Sequence, residues 1–132
     1  MTARNTPKRT GDMLEPGVAA STLIEAGHMG AKNAAGYAVP ASDTAGLIVL
    51  GRVENTVDNS GGADGDERVR ILRKNVFLLK NSGTAPLTIA DIGGNAYVED
   101  SETVTTAAGA LNGIVAGKIL DVESEGVWVE IN

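Results

Sequence analysis

No apolar run in this chain exceeds four residues; the longest are Leu47–Leu50 and Val76–Leu79. Between such runs stand Gly, Asn, Asp, Ser and Thr. Short apolar runs separated by turn formers read as β-strands, and no segment carries a long helical period. A membrane-spanning helix needs about 20 apolar residues in a row, so no membrane partner is expected. The chain has 17 Gly against one Phe, one Trp and two Tyr. Aromatic side chains supply the largest buried area per residue. The core must therefore come from Val, Ile, Leu and Ala, and an isolated monomer is expected to have modest stability.

A length of 132 residues suits one domain. Residues 1–17 read as an extended N-terminal arm, and 18–132 as a single β domain. Pro7, Gly11, Pro16 and Gly17 interrupt any regular pattern in the arm. Its first ten residues hold Arg4, Lys8, Arg9 and no acid. Met13 and Leu14 are its large apolar side chains and the expected anchors. The arm lacks an apolar stretch, so no secretory signal is expected.

Within the body, strands are expected near Ser21–Glu25, His28–Lys32 and Tyr37–Pro40. A helix over Val18–Ala26 competes with the first. Leu47–Val57 reads as a strand with a bulge at Gly51. Residues 67–81 read as one long strand or a bent pair with a corner near Arg73–Asn75. Leu87–Ile92 fits a short helical turn or a strand. Strands then follow at Asn95–Glu99, Thr103–Thr106, Ile114–Val122 and Val127–Ile131. Val127, Val129 and Ile131 alternate with Trp128 and Glu130. This last hairpin is the clearest pattern, with Gly126 suited to its turn. The expected fold class is all-β: a small barrel or sandwich.

Charge is uneven. Residues 1–90 carry 10 Lys/Arg and 9 Asp/Glu, whereas 91–132 carry Lys118 and 8 acids. An acidic body with a weakly cationic arm argues against nucleic acid as a partner, which calls for a clustered basic face. The absence of cysteine excludes disulfides, thiolate metal sites and a cysteine nucleophile. His28 is the only histidine, and no Gly-x-Ser-x-Gly elbow accompanies it.

The loop Asp58–Glu67 has four acids but fails the EF-hand pattern. Gly62 would stand at ligand position 5 and Val69 at position 12. A solvated, flexible hairpin loop is the favoured reading. Gly113 and Gly117 enclose three residues rather than the four of a phosphate loop, and Ile119 follows Lys118. Glu99, Asp100 and Glu102 read as a solvated hairpin tip. Arg68, Arg70, Arg73 and Lys74 read as a surface ladder. Trp128 reads as a packing or interface residue. No catalytic residue, cofactor site or metal site is expected.

The segment AAGYAVPASDTAGLIVLGRVENTVDNSGGADGDERVRILRKNVFLLKNSG resembles a family of tailed-bacteriophage head proteins, the capsid cement or decoration proteins. Ile92–Asp100 with Thr103-Val104, Ala116–Val122 and Gly126–Glu130 are similar to that family too. The likeness runs over residues 27–132; Val18–Glu25 matches less well, and the arm is longer than expected. The resemblance implies a compact β-barrel or β-tulip fold. It implies a homotrimer on the outer surface of an HK97-like icosahedral shell, at three-fold and quasi-three-fold positions. Its partner would be the major capsid protein, its location the virion, and its role to stabilise the expanded shell without enzymatic activity. Arg4, Lys8, Arg9, Met13 and Leu14 are then the expected capsid contacts. A head–tail joining or tail-tube subunit is the alternative, and a cation-dependent hydrolase using the acidic loop is a third reading.

Overall fold

The computed structural model describes residues 2–9 and 11–132. The protein is all-β; among the described residues there is one 3₁₀ turn, at Ile89–Asp91, and twelve strands that divide at Lys74 into two halves. The N-terminal half holds β1 (Met13–Leu14), β2 (Thr22–Ile24), β3 (Met29–Lys32), β4 (Ala38–Pro40), β5 (Ile48–Val53), β6 (Val57–Asn59) and β7 (Ile71–Leu72). The C-terminal half holds β8 (Asn75–Asn81), β9 (Asn95–Val98), β10 (Thr103–Thr105), β11 (Val115–Glu123) and β12 (Gly126–Ile131).

The C-terminal half closes into a five-stranded barrel in the order β10-β8-β12-β11-β9. All its pairs are antiparallel except β8 with β10. Alternation dictates the inward face: Val127, Val129 and Ile131 on β12, and Phe77 and Leu79 on β8, are buried. Gly117 lets β11 and β12 approach closely, because a Cβ there would run into the Glu130 carbonyl oxygen.

The N-terminal half forms an open sheet, β1-β7-β5-β3-β4, with β2 and β6 paired beside it. Gly51 answers to Gly117: a Cβ there would strike the Leu72 carbonyl oxygen. The register between β3 and β5 slips at this point, so the bulge expected at Gly51 is present.

Two apolar clusters hold the halves. One joins the barrel interior to Met29, Ala31, Ala41 and Val49 of the N-terminal half. The other, built from Val18, Ile24, Ala38, Val53, Val57, Val69 and Ile71, lies within that half. The Arg52 guanidinium stacks 4.9 Å from the centre of the Phe77 ring, a cation–π contact across the junction.

Several local expectations are corrected. Leu47–Val57 is not one strand. It breaks at Glu54–Thr56, where Glu54 N–H and the Asn55 side chain bond the Arg70 backbone. Of the two readings of residues 67–81, the bent pair with a corner near Arg73–Asn75 is the one that forms: Ile71–Leu72 and Asn75–Asn81 are its strands, and Lys74 turns the corner between them with φ 60°. The helix considered over Val18–Ala26 does not form, since Ser21 takes φ 57° and Thr22–Ile24 pairs with β6.

The segment read as an arm has two parts. Residues 2–9 are exposed and carry no secondary structure. From Gly11 onward the chain is sewn to the sheet edge. Asp12 and Pro16 carbonyls accept from Arg73 and Val69 N–H, and Gly17 bridges Arg68. A 13.5 kDa chain folded compactly exposes about 6,500 Å², whereas this one exposes 7415 Å². The exposed residues 2–9 and the exposed apolar side chains on the barrel contribute to that excess.

Candidate binding surfaces

The expected capsid-contact residues fall into two sets. Arg4, Lys8 and Arg9 lie on the exposed segment 2–9. Met13 and Leu14 form β1 and pair with Leu72 and Ile71, which anchors the base of that segment. Arg9, Met13 and Leu14 come together around an open groove of 660 Å³. Pro16 and Leu50 add apolar wall, and Lys32 and Arg68 add positive charge. Glu15 is the one acid in its lining among the described residues. Arg4 and Lys8 are not part of it.

A second surface lies on the barrel. Val76 and Leu78 of β8 and Leu120 of β11 point outward and are exposed. Trp128 stands directly opposite Leu78 and is half-buried. Leu120 is the extra residue of a bulge, because Ile119 pairs with Val129 and Asp121 with Trp128. These four side chains make an apolar belt across three adjacent strands. Above it the β11–β12 hairpin ends in Asp121, Glu123 and Glu125, all exposed. The sequence held a signal for the belt. Val76-Phe77-Leu78-Leu79 is apolar on both faces of its strand, which is expected only where both faces are covered.

The third feature is a pinned loop. The Asp43 carboxylate accepts from the N–H groups of Leu111 and Asn112 at 2.7 and 2.8 Å. Chiefly through the Leu111 bond, this holds its pKa below the ordinary value. Leu111 is thereby displayed at the loop tip, 93% exposed.

The acidic loop is solvated as expected, with Asp58, Asp64, Asp66 and Glu67 all exposed, but it closes no hairpin: β6 pairs with β2, and β7 with β1 and β5. Asn59, buried, places its amide nitrogen 3.0–3.2 Å from the carbonyls of Val18, Ala19 and Ala63. Asp64 accepts from Ala20 N–H and Asp66 from Ala63 N–H. Asp58, Asp64 and Asp66 are aimed at backbone amides rather than at a common point. Among the described residues, no three His, Cys, Asp or Glu side chains converge as metal ligands.

His28 has partners that no spacing announces. Its Nδ1 lies 2.7 Å from the Ser101 hydroxyl, and its Nε2 lies 3.1 Å from Glu102 and 3.6 Å from Glu25. Lys80 in turn pairs with Glu102 at 2.8 Å. Lys80 is held above, and Glu102 below, their ordinary pKa values, first through that shared hydrogen bond. Neither His28 nor Ser101 lines the groove described above. The cluster clips the turn before β3 to the turn before β10, beside the bond from Met29 N–H to the Ser101 carbonyl. Arg68 and Arg70 project outward while Val69 and Ile71 are buried, as the alternation requires.

Among the described residues, no helix is long and apolar enough to cross a membrane. Comparison of the chain with protein-family models, with curated proteins and with solved structures found no match.

Proposed function

We propose that this chain is a virion structural protein, a trimeric decoration protein that binds the outer surface of an HK97-like capsid and stabilises the expanded shell. The proposed partners are two further copies of itself and the major capsid protein, and its work is binding rather than chemistry. The observation that carries this reading is the uncovered apolar belt Val76–Leu78–Leu120–Trp128 on an otherwise well-alternated barrel. Exposed Leu and Val side chains around a half-buried Trp are the composition of binding hot spots. The exposed cationic segment 2–9 adds a second element. Being short of apolar side chains, it gains order only against a partner, and its charge suits an acidic one.

The mechanism is multivalent clamping. Three protomers linked in one particle make each later contact effectively intramolecular, so weak individual contacts add to a tight clamp. Placed at three-fold and quasi-three-fold positions, such a particle would tie neighbouring capsomers together.

Co-sedimentation with shells assembled from the cognate major capsid protein tests this. Full-length protein should pellet with expanded shells and raise their melting temperature. A chain lacking residues 2–9, which leaves β1 intact, should bind at least about tenfold more weakly. Absence of binding by the full chain would refute the reading, and unchanged affinity on deletion would remove the segment from it.

A further inference from the structure

The cationic groove and the acidic hairpin are complementary in two respects, and they belong to opposite halves of the chain. The groove has an apolar wall of Met13, Leu14 and Leu50 and a positive rim of Arg9, Lys32 and Arg68. The β11–β12 hairpin has an apolar flank, Leu120 and Trp128, and a negative tip, Glu123 and Glu125. None of the hairpin residues lines the groove within one chain. None of the ion pairs among the described residues involves Arg9, Lys32, Arg68, Glu123 or Glu125.

We infer that the groove is the receptor for the β11–β12 hairpin tip of a second copy of this chain. The contact rests on the trimer reading above and names its seam. Two different patches meet, so the interface is heterologous, and a three-fold rotation closes it into a ring with every groove filled. Apolar wall against Leu120 and Trp128 supplies burial, while rim against tip fixes orientation and speeds encounter. The tip is short and defined: a two-residue turn, Ser124–Glu125, with Gly126 at φ 151° packed on the Leu79 carbonyl. Trp128, the only tryptophan, sits at the edge of the contact and reports on it.

Charge exchange tests the pairing. One variant carries Lys32→Glu and Arg68→Glu, a second carries Glu123→Lys and Glu125→Lys, and a third carries all four. Arg68, Glu123 and Glu125 are exposed and Lys32 is half-buried, and circular dichroism checks that each variant folds. Sedimentation velocity and Trp128 emission are followed over a dilution series. The wild-type chain should be trimeric, with emission shifting to the red as it dissociates and with dissociation promoted by salt. Each double variant should dissociate at a protein concentration at least about tenfold higher. The quadruple variant should regain the wild-type behaviour.

Trimeric double variants would overturn the groove–hairpin contact and leave the trimer standing. Folded double variants that dissociate, with no recovery in the quadruple variant, would overturn the contact as well. A wild-type chain that stays monomeric throughout would overturn the trimer itself.

Discussion

The two halves of the molecule solve the same packing problem differently. The barrel is a contiguous piece of chain, residues 75–131, whose strands reach nine residues and close on themselves. The N-terminal half uses strands of two to six residues, leaves its sheet open, and draws its edge strand β1 to β7 from almost sixty residues away. Its own cluster holds only Val, Ile and Ala among the fully buried side chains, whereas the barrel cluster includes Phe77, Leu79, Ile119 and Ile131. The barrel therefore has the bulkier core, while directed hydrogen bonds serve both halves. Asn59, Asp64 and the carbonyls that stitch residues 11–17 to the sheet tie the N-terminal half; Asn81 with Leu87, Ser82 with Glu99 and Thr105 with Ala85 tie the C-terminal one.

The sharpest way to break this contrast is truncation in each core. Phe77→Ala should cost about 3–5 kcal/mol, enlarged by the loss of the Arg52 contact. Val53→Ala should cost about 2 kcal/mol, because fewer atoms are removed from a thinner cluster. Urea unfolding reads both, and equal losses would erase the distinction between the halves.

Asn59→Ala probes the hydrogen bonding of the N-terminal half directly. Three carbonyls lose their buried amide partner, so a loss of about 1–3 kcal/mol is expected. Amide exchange should rise first around residues 18–21 and 58–66, with the barrel amides unchanged. Exchange that rose uniformly would mean that Asn59 supports the whole fold rather than its own half.

The smallest effect expected is at the loop that spans the junction. Asp43 is held below its ordinary pKa of 3.8 by the Leu111 and Asn112 amides. Its charged form is therefore favoured by folding, and that contribution is fully present above the unfolded pKa. It is lost as the pH falls through the lowered folded value. Protection of the Leu111 and Asn112 amides should weaken over that acid range. Asp43→Ala should show the weakness already at pH 7 and no further acid dependence at these two amides.

The same contrast explains what could be read in the sequence. The final hairpin is written in strict alternation, so Val127, Val129 and Ile131 identify their own inward face and leave Trp128 outside. The corner at Lys74 shows as a slip in that alternation. In the N-terminal half, strands of two or three residues hold too few positions to set a period, and Leu47–Val57 reads as one strand although it folds as two. Loop composition is right that the acids of Asp58–Glu67 face water, but it does not reveal that Asp58, Asp64 and Asp66 also accept from backbone amides, or that β6 and β7 go to different partners. The His28 cluster joins groups 73 residues apart, a separation that no local pattern encodes. Among the binding surfaces, Arg9, Met13 and Leu14 were legible as an apolar and cationic stretch. Their groove partners Lys32, Leu50 and Arg68 are brought in by sheet order alone.

The central proposal is that this protein is completed by its neighbours on a shell. Cryo-electron microscopy of expanded cognate shells incubated with the purified chain measures that directly. The proposal predicts three-lobed density on the outer surface at the three-fold and quasi-three-fold positions, into which three copies of the barrel fit. Bare three-fold positions, or density confined to a six-fold ring at one vertex, would contradict it.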